Sequence, residues 1–215
     1  MTKQRILFLL LFVNVFAVAQ HKNGTVPCSE ETGSAYRQKA LSSVDELPKG
    51  IRRKIVKHLK QYLGGDFYSL LSFEKGSVYN ADSLDRLPQY KGVEEKPVFE
   101  LFFALRKPAS GIDLYCSRVT FDAVGKVVSE IEFPQKRKDV PTASFVPLER
   151  MVSIADSLGY KTDSYGMGSG DKGHLVLRFS GLKQKTFSVN IPFIEVSVHT
   201  GEVVSGIGPL ERYTR

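Results

Sequence analysis

The chain has 215 residues, 42% of them hydrophobic, with 30 Lys and Arg against 23 Asp and Glu, a formal charge of +7, two Cys and no Trp. It is too apolar for a disordered chain, too poor in Cys for a disulfide-stapled miniprotein, and too poor in Gly and Pro for a fibrous one. At about 150 residues per domain the length suits one domain or two small ones.

Residues 1–19 read as a secretion signal. Lys3 and Arg5 supply a positive start, residues 6–18 form an apolar run interrupted by Asn14, and Ala17-Val18-Ala19 places small residues before a cleavage point after Ala19. The apolar run is shorter than the roughly 20 residues that span a bilayer, and no later stretch reaches that length. The expected destination is therefore secreted or periplasmic, with no integral membrane segment after cleavage, and two of the positive charges leave with the signal. Thr25-Val26-Pro27 ahead of Cys28 is not the small-residue pattern of a lipoprotein.

Residues 20–44 form an N-terminal lead, polar at first, with a short helix expected around 35–42. In an oxidising compartment Cys28 and Cys116 are the one intramolecular disulfide available; the alternative is two unpaired thiols. Asn23-Gly24-Thr25 matches the N-glycosylation acceptor pattern.

A first unit is expected over residues 45–134. After Leu47-Pro48, Ile51, Ile55, Val56, Leu59, Tyr62 and Leu63 recur at helical spacing opposite Arg53, Lys54, Lys57 and Lys60, and Gly64-Gly65 ends the helix. The period then changes to two, with strands expected at 67–73, 98–105, 114–121 and 127–133. The last two are joined by a short Gly-containing link. Residues 74–97 read as a long polar loop or a ragged strand extension.

A charged connector follows at 135–143, and a second unit at 144–208 repeats the order. Val146-Pro147 opens a helix with Met151, Val152, Ala155 and Leu158, and Gly159 closes it. Next come a Gly-rich turn at 166–173, strands at 174–179 and 185–191, and a hairpin at 194–207. Pro192 marks a kink where the apolar phase changes. Residues 209–215 form a C-terminal tail.

The repeat extends to sequence. Val119-Thr120-Phe121-Asp122-Ala123-Val124-Gly125-Lys126-Val127-Val128-Ser129 matches Val196-Ser197-Val198-His199-Thr200-Gly201-Glu202-Val203-Val204-Ser205, one residue shorter in the turn. The fold class is α+β: two tandem helix-plus-antiparallel-sheet units with helices on one face of the sheet or sheets. The sheets could join edge to edge or pack face to face; joined, they would leave one broad sheet surface uncovered for binding.

The signal, the helix-then-strands order and the His199-Thr200-Gly201-Glu202-Val203-Val204 hairpin resemble the PepSY and PepSY-like families, whose tandem forms are related in architecture to beta-lactamase-inhibitor-type proteins. The resemblance implies a non-catalytic extracytoplasmic module that binds or inhibits another protein, often a peptidase. It carries no catalytic residues across.

No pattern names a catalytic, cofactor or metal site. Gly168-Ser169-Gly170-Asp171-Lys172-Gly173 has the letters of a dinucleotide loop, but a strand, not a helix N-terminus, is expected after it. His21, His58, His174 and His199 lack zinc spacing, and His58 and His199 read as ordinary surface residues. Ser169 lacks the strand-to-helix elbow of a nucleophile. The pairs Asp82 with Asp85 and Glu94 with Glu95 are accounted for by loop polarity, and neither Cys has a neighbouring His.

The remaining candidate is the basic face Arg53, Lys54, Lys57 and Lys60. It lacks the aromatic interleaving of a nucleic-acid surface and reads as a solvated face or, next, as a site for an acidic protein partner or an anionic envelope surface. The leading expectation is thus a secreted protein-binding module. A carrier or sensor of a small apolar ligand held between helix and sheet, with Phe99, Phe102, Phe103 and Tyr115 lining a pocket, is the alternative, and a hydrolase whose site leaves no trace in one sequence is the third.

Overall fold

The computed structural model describes residues 24–29, 36–136, 142–170, 175–183 and 191–207. The signal segment, His21, Asn23, His174, residues 185–190 of the strand expected at 185–191, most of the connector and the tail at 209–215 lie outside the described residues.

In chain order the first half contains β1 (Thr25–Val26), β2 (Arg37–Leu41), α1 (Lys49–Leu63), α2 (Gly65–Tyr68), β3 (Leu71–Tyr79), α3 (Ala81–Leu84), β4 (Phe99–Lys107), β5 (Ile112–Phe121) and β6 (Val127–Ser129). The second half contains α4 (Leu148–Ser157), β7 (Gly166–Ser169), β8 (Leu175–Ser180), β9 (Phe193–Ser197) and β10 (Val203–Ile207). Strands β3 to β6 run as an antiparallel meander, and so do β7 to β10. The protein is α+β, a helix followed by a four-strand meander, twice. The first sheet gains two strands: β2 pairs antiparallel with β3, and β1 pairs parallel with β5.

Helix α1 forms because Ile55, Leu59 and Leu63 fall four residues apart on one stripe, and all three are fully buried. They face Phe99, Leu101, Phe103 and Leu105 of β4 and Val119 and Phe121 of β5, which alternate toward the same side. Helix α4 buries Met151 and Ala155 against Leu175, Leu177 and Phe179 of β8 and Ile194 and Val196 of β9. These inward sets form one continuous apolar cluster, so the two halves share a core.

The halves meet along named contacts. The Phe67 ring of α2 stacks on Phe145 at 6.4 Å, the Tyr165 hydroxyl donates to the Gly111 carbonyl at 3.2 Å, and β1 lies close to β7. Cys28, just past β1, is joined by a disulfide to Cys116 of β5, with Cα atoms 5.1 Å apart. Among the described residues, no helix is long and apolar enough to cross a membrane.

In each unit the last hairpin's turn glycine lies against the start of that unit's helix. Gly125 (φ 80°) sits beside Ile51 and Lys54, and Gly201 (φ 73°) beside Val146 and Arg150. The positive φ favours glycine at both. Lys54 Nζ also donates to the Val124 carbonyl at 2.9 Å. The hairpins differ in register, however: Phe121 pairs with Val127, whereas Val203 pairs with Val196. The second connection is the longer one, opposite to the expectation from the aligned sequences.

Several local expectations are corrected. Residues 37–41 are a strand, not a helix, because the backbone edge of β3 needs a partner and Leu41 is buried opposite Gly76. Phe67 belongs to α2, and the strand begins only at Leu71 and runs on to Tyr79. An irregularity between Phe73 and Lys75 shifts its alternation and hid its continuation. The rest of the 74–97 segment is broken up by α3, whose Asn80 side chain accepts from the Asp82 and Ser83 N–H groups, and by a turn at Pro88–Tyr90. The Gly-rich stretch begins as a strand: Gly166 and Gly168 pair with Arg178 and Val176.

The face of each sheet turned away from its helix is not an uncovered surface. In the first sheet Ser77, Tyr79, Glu100, Phe102, Ala104 and Thr120 are each 3% exposed or less. Each outer face holds a carboxylate on a central strand, bound the same way. Glu100 receives Arg118 Nη1 on Oε1 at 3.2 Å and the Tyr79 hydroxyl on Oε2 at 2.7 Å. Glu195 receives Arg178 Nε on Oε1 at 2.9 Å and the Ser205 hydroxyl on Oε2. A buried charge persists only when paired and hydrogen-bonded in this way.

Two outcomes follow from this packing. Cys28→Ser with Cys116→Ser opens a loop of 88 residues and is expected to lower unfolding free energy by about 2–5 kcal/mol, read by urea denaturation. In the native chain, thiol labelling should appear only after reduction. Arg118→Leu strands a buried carboxylate and is expected to cost about 3–5 kcal/mol, whereas Arg118→Leu combined with Glu100→Leu should recover most of that loss in the same assay.

Candidate docking groove on helix α1

The exposed side of α1 borders an open groove of 740 Å³, lined by Val44, Asp45, Lys49, Arg52, Arg53, Val56, Lys57, Lys60, Gln61 and Tyr68. Its α1 residues fall at 49, 52, 53, 56, 57, 60 and 61, and the 49, 52, 53, 56, 57, 60 set is a single stripe at three- and four-residue steps that spans about 16 Å. The stripe faces out because Ile55, Leu59 and Leu63 hold the other side of the helix in the core. The turns at either end of α1 close the groove: residues 44–46 supply Val44 and Asp45, and α2 supplies Tyr68.

The groove is strongly one-signed. Lys49, Arg53, Lys57 and Lys60 are exposed, and Arg52 is paired with Asp45 at 2.5 Å. Lys60 Nζ lies 5.7 Å from the centre of the Tyr68 ring, a cation–π contact on a phenol whose pKa burial raises. Val44, Val56 and Tyr68, all half-buried, make the floor apolar.

The floor is positioned by a small polar network. Glu46 Oε1 accepts from the Ser42 hydroxyl at 2.7 Å and from the Ser42 and Ser43 N–H groups at 2.8 and 3.1 Å, and Oε2 pairs with Lys39 at 3.0 Å. With the Ser43 hydroxyl accepting from Asp45 N–H at 3.1 Å, this is a capping box that fixes residues 44–46. The Ser42 hydroxyl, then Lys39, pull the Glu46 pKa down to about 2.

Of the basic face expected from sequence, Arg53, Lys57 and Lys60 lie in the groove. Lys54 does not line it; it reaches the β5–β6 turn, donating to Val124. Lys49, Arg52 and the apolar floor were missed. The 49, 52, 53, 56, 57, 60 spacing was visible in the sequence, but the placing of Val44 and Tyr68 depends on how the chain turns at each helix end.

The other candidates go elsewhere. Phe99, Phe102, Phe103 and Tyr115 are at most 6% exposed, three of them in the shared core and Phe102 under Lys75 Nζ at 5.0 Å. His199 is not a surface residue but 4% exposed at the junction of the halves. Its ring lies 4.9 Å from Phe145 and 6.3 Å from Phe67, and its Nδ1–H donates to the Ser144 carbonyl at 2.9 Å. His58 is half-buried, with Nε2 2.9 Å from Glu130 and the ring against Tyr62 and Phe121.

The loop carboxylates are tied separately, Asp85 to Lys96 at 2.9 Å and Glu95 to Lys126. Gly168 and Ser169 are the last residues of β7, and the next element is strand β8 instead of a helix. Among the described residues, no three His, Cys, Asp or Glu side chains gather to hold a metal ion. No family model matches the chain, and neither a curated protein nor a solved structure matches it.

Because Glu46 titrates lower when folded than the ordinary carboxyl value of 4.5, its contribution to stability is fully present above pH 4.5 and lost as the pH falls through about 2. An NMR titration of the Glu46 side chain should give a midpoint near 2 that moves up toward the ordinary value in Ser42→Ala.

Proposed function

We propose that the mature chain is a non-catalytic, extracytoplasmic binding module that docks an acidic protein partner in the α1 groove. The observation that carries this reading is the run of exposed cations around an apolar floor, held outward by a fully buried opposite stripe. Such a surface accelerates encounter with an oppositely charged protein and excludes basic ones. The Cys28–Cys116 bridge supports placement outside the cytoplasm, since disulfides persist in oxidising compartments. The PepSY-like resemblance suggests the partner's class, a peptidase or other enzyme of the cell envelope that the module restrains.

The test uses the mature chain and an Arg53→Glu, Lys57→Glu, Lys60→Glu variant as baits for the secreted and envelope proteins of the source cells, quantified by mass spectrometry. A partner with an acidic surface should be recovered by the native chain and reduced at least about tenfold by the variant, and also by raised salt. Lys161→Glu, on an exposed residue outside the groove, should behave as the native chain. Equal recovery by the triple variant, with its circular dichroism unchanged, would overturn the reading.

A further inference from the structure

The groove's layout says what part of a partner it takes. Resting on the docking reading above, we propose that its occupant is a short acidic segment carrying an apolar side chain between carboxylates. The side chain seats on Val44, Val56 and Tyr68, and the carboxylates meet Lys49, Arg53, Lys57 and Lys60.

Charge spacing points to a chain and away from a small anion. Lys49, Arg53, Lys57 and Lys60 are spread along about 16 Å of helix, beyond the Debye length of about 8 Å at physiological salt. One phosphate or carboxylate reaches only one or two of them. Same-face side chains of a bound peptide recur every 5–7 Å in either helix or strand, close to the rise between successive cations here. Arg52 is already held by Asp45, which leaves the four others to the ligand.

The apolar floor sets the second requirement. An exposed ion pair contributes only a few-fold to affinity, so a purely acidic segment would bind weakly and without selectivity. Burying a leucine-sized side chain on the floor adds about tenfold or more.

Two other polyanions fit less well. A membrane surface would need large apolar side chains to insert, but Ile55, Leu59 and Leu63 of α1 are fully buried and Ile51 and Tyr62 pack partly buried against the core, and a concave groove matches a flat bilayer poorly. Single-stranded nucleic acid would need several stacking rings, whereas the groove offers Tyr68, already under Lys60, and sets the Asp45 carboxylate against phosphate.

Fluorescence anisotropy with the mature chain decides among these. The probes are labelled Glu-Glu-Leu-Asp-Glu and Glu-Glu-Ser-Asp-Glu peptides, an oligothymidylate, and phosphatidylglycerol vesicles read by co-sedimentation. The leucine peptide is expected to bind about tenfold tighter than the serine peptide. Val56→Ser, and independently Val44→Ser outside the helix, should remove most of that advantage, while Arg53→Glu with Lys57→Glu weakens both peptides together. Equal affinity of the two peptides, or tighter binding of oligothymidylate or vesicles, overturns the proposal. If a captured partner depends on the α1 cations yet neither peptide binds saturably, this inference fails and the docking reading stands; loss of that dependence sinks the docking reading itself.

Discussion

Strand β4 is buried on both faces, and the rest of the architecture follows from satisfying that burial. From Phe99 to Leu105 no residue is more than 6% exposed. On one side Phe99, Leu101, Phe103 and Leu105 require an apolar cover, which α1 supplies. On the other, Glu100 shares its face with Phe102 and Ala104, and a carboxylate there is tolerable only because Tyr79 and Arg118 from the two neighbouring strands reach it. Both requirements fix register. A slip of one residue in β3 or β5 would bring apolar side chains to the polar side and leave Glu100 without its partners. The same logic places Arg178 and Ser205 around Glu195, so the two sheets solve the same problem separately.

Much of this was readable without coordinates, because it depends on period. The α1 stripe, the central strands of both sheets and the two final hairpins each carry apolar residues at 3.6 or 2, and periodicity is the strongest local signal in a sequence. What resisted was set by contacts between distant segments. Residues 37–41 have no apolar alternation of their own and become a strand only as the edge partner of β3. The phase shift at Phe73–Lys75 made the second half of β3 look like loop. His199 looked like a turn residue at the surface because nothing near it in sequence announces that Phe67 and Phe145 will enclose it. Glu100, in the middle of an apolar run, was the one local sign that the outer face would be closed.

The groove was half legible for the same reason. The cations on α1 are a matter of helical spacing, and Arg53, Lys57 and Lys60 could be read from it directly. Whether they project into water singly or surround a floor depends on the turns at the two helix ends. The Ser43 capping box turns Val44 under one end, and the sharp start of α2 after Gly64 brings Tyr68 under the other. Lys54, one step around the helix, is drawn instead to the β5–β6 turn. A single helical step therefore separates groove from hairpin contact.

The two helices differ in what they turn outward. Counted from the proline that precedes each helix, Pro48 and Pro147, α1 buries the seventh, eleventh and fifteenth residues (Ile55, Leu59, Leu63), whereas α4 buries the fourth and eighth (Met151, Ala155). At 100° per residue the two buried stripes overlap, with mean directions about 40° apart about the helix axis. The positions that are Lys49, Arg52, Arg53 and Val56 in α1 correspond to Leu148, Met151, Val152 and Ala155 in α4, where they pack into or against the core. The stripe that the second unit spends on its own packing is the one the first unit turns to solvent and loads with cations. The longer α1, ending in the Lys60 turn that meets Tyr68, extends that stripe beyond anything α4 could match.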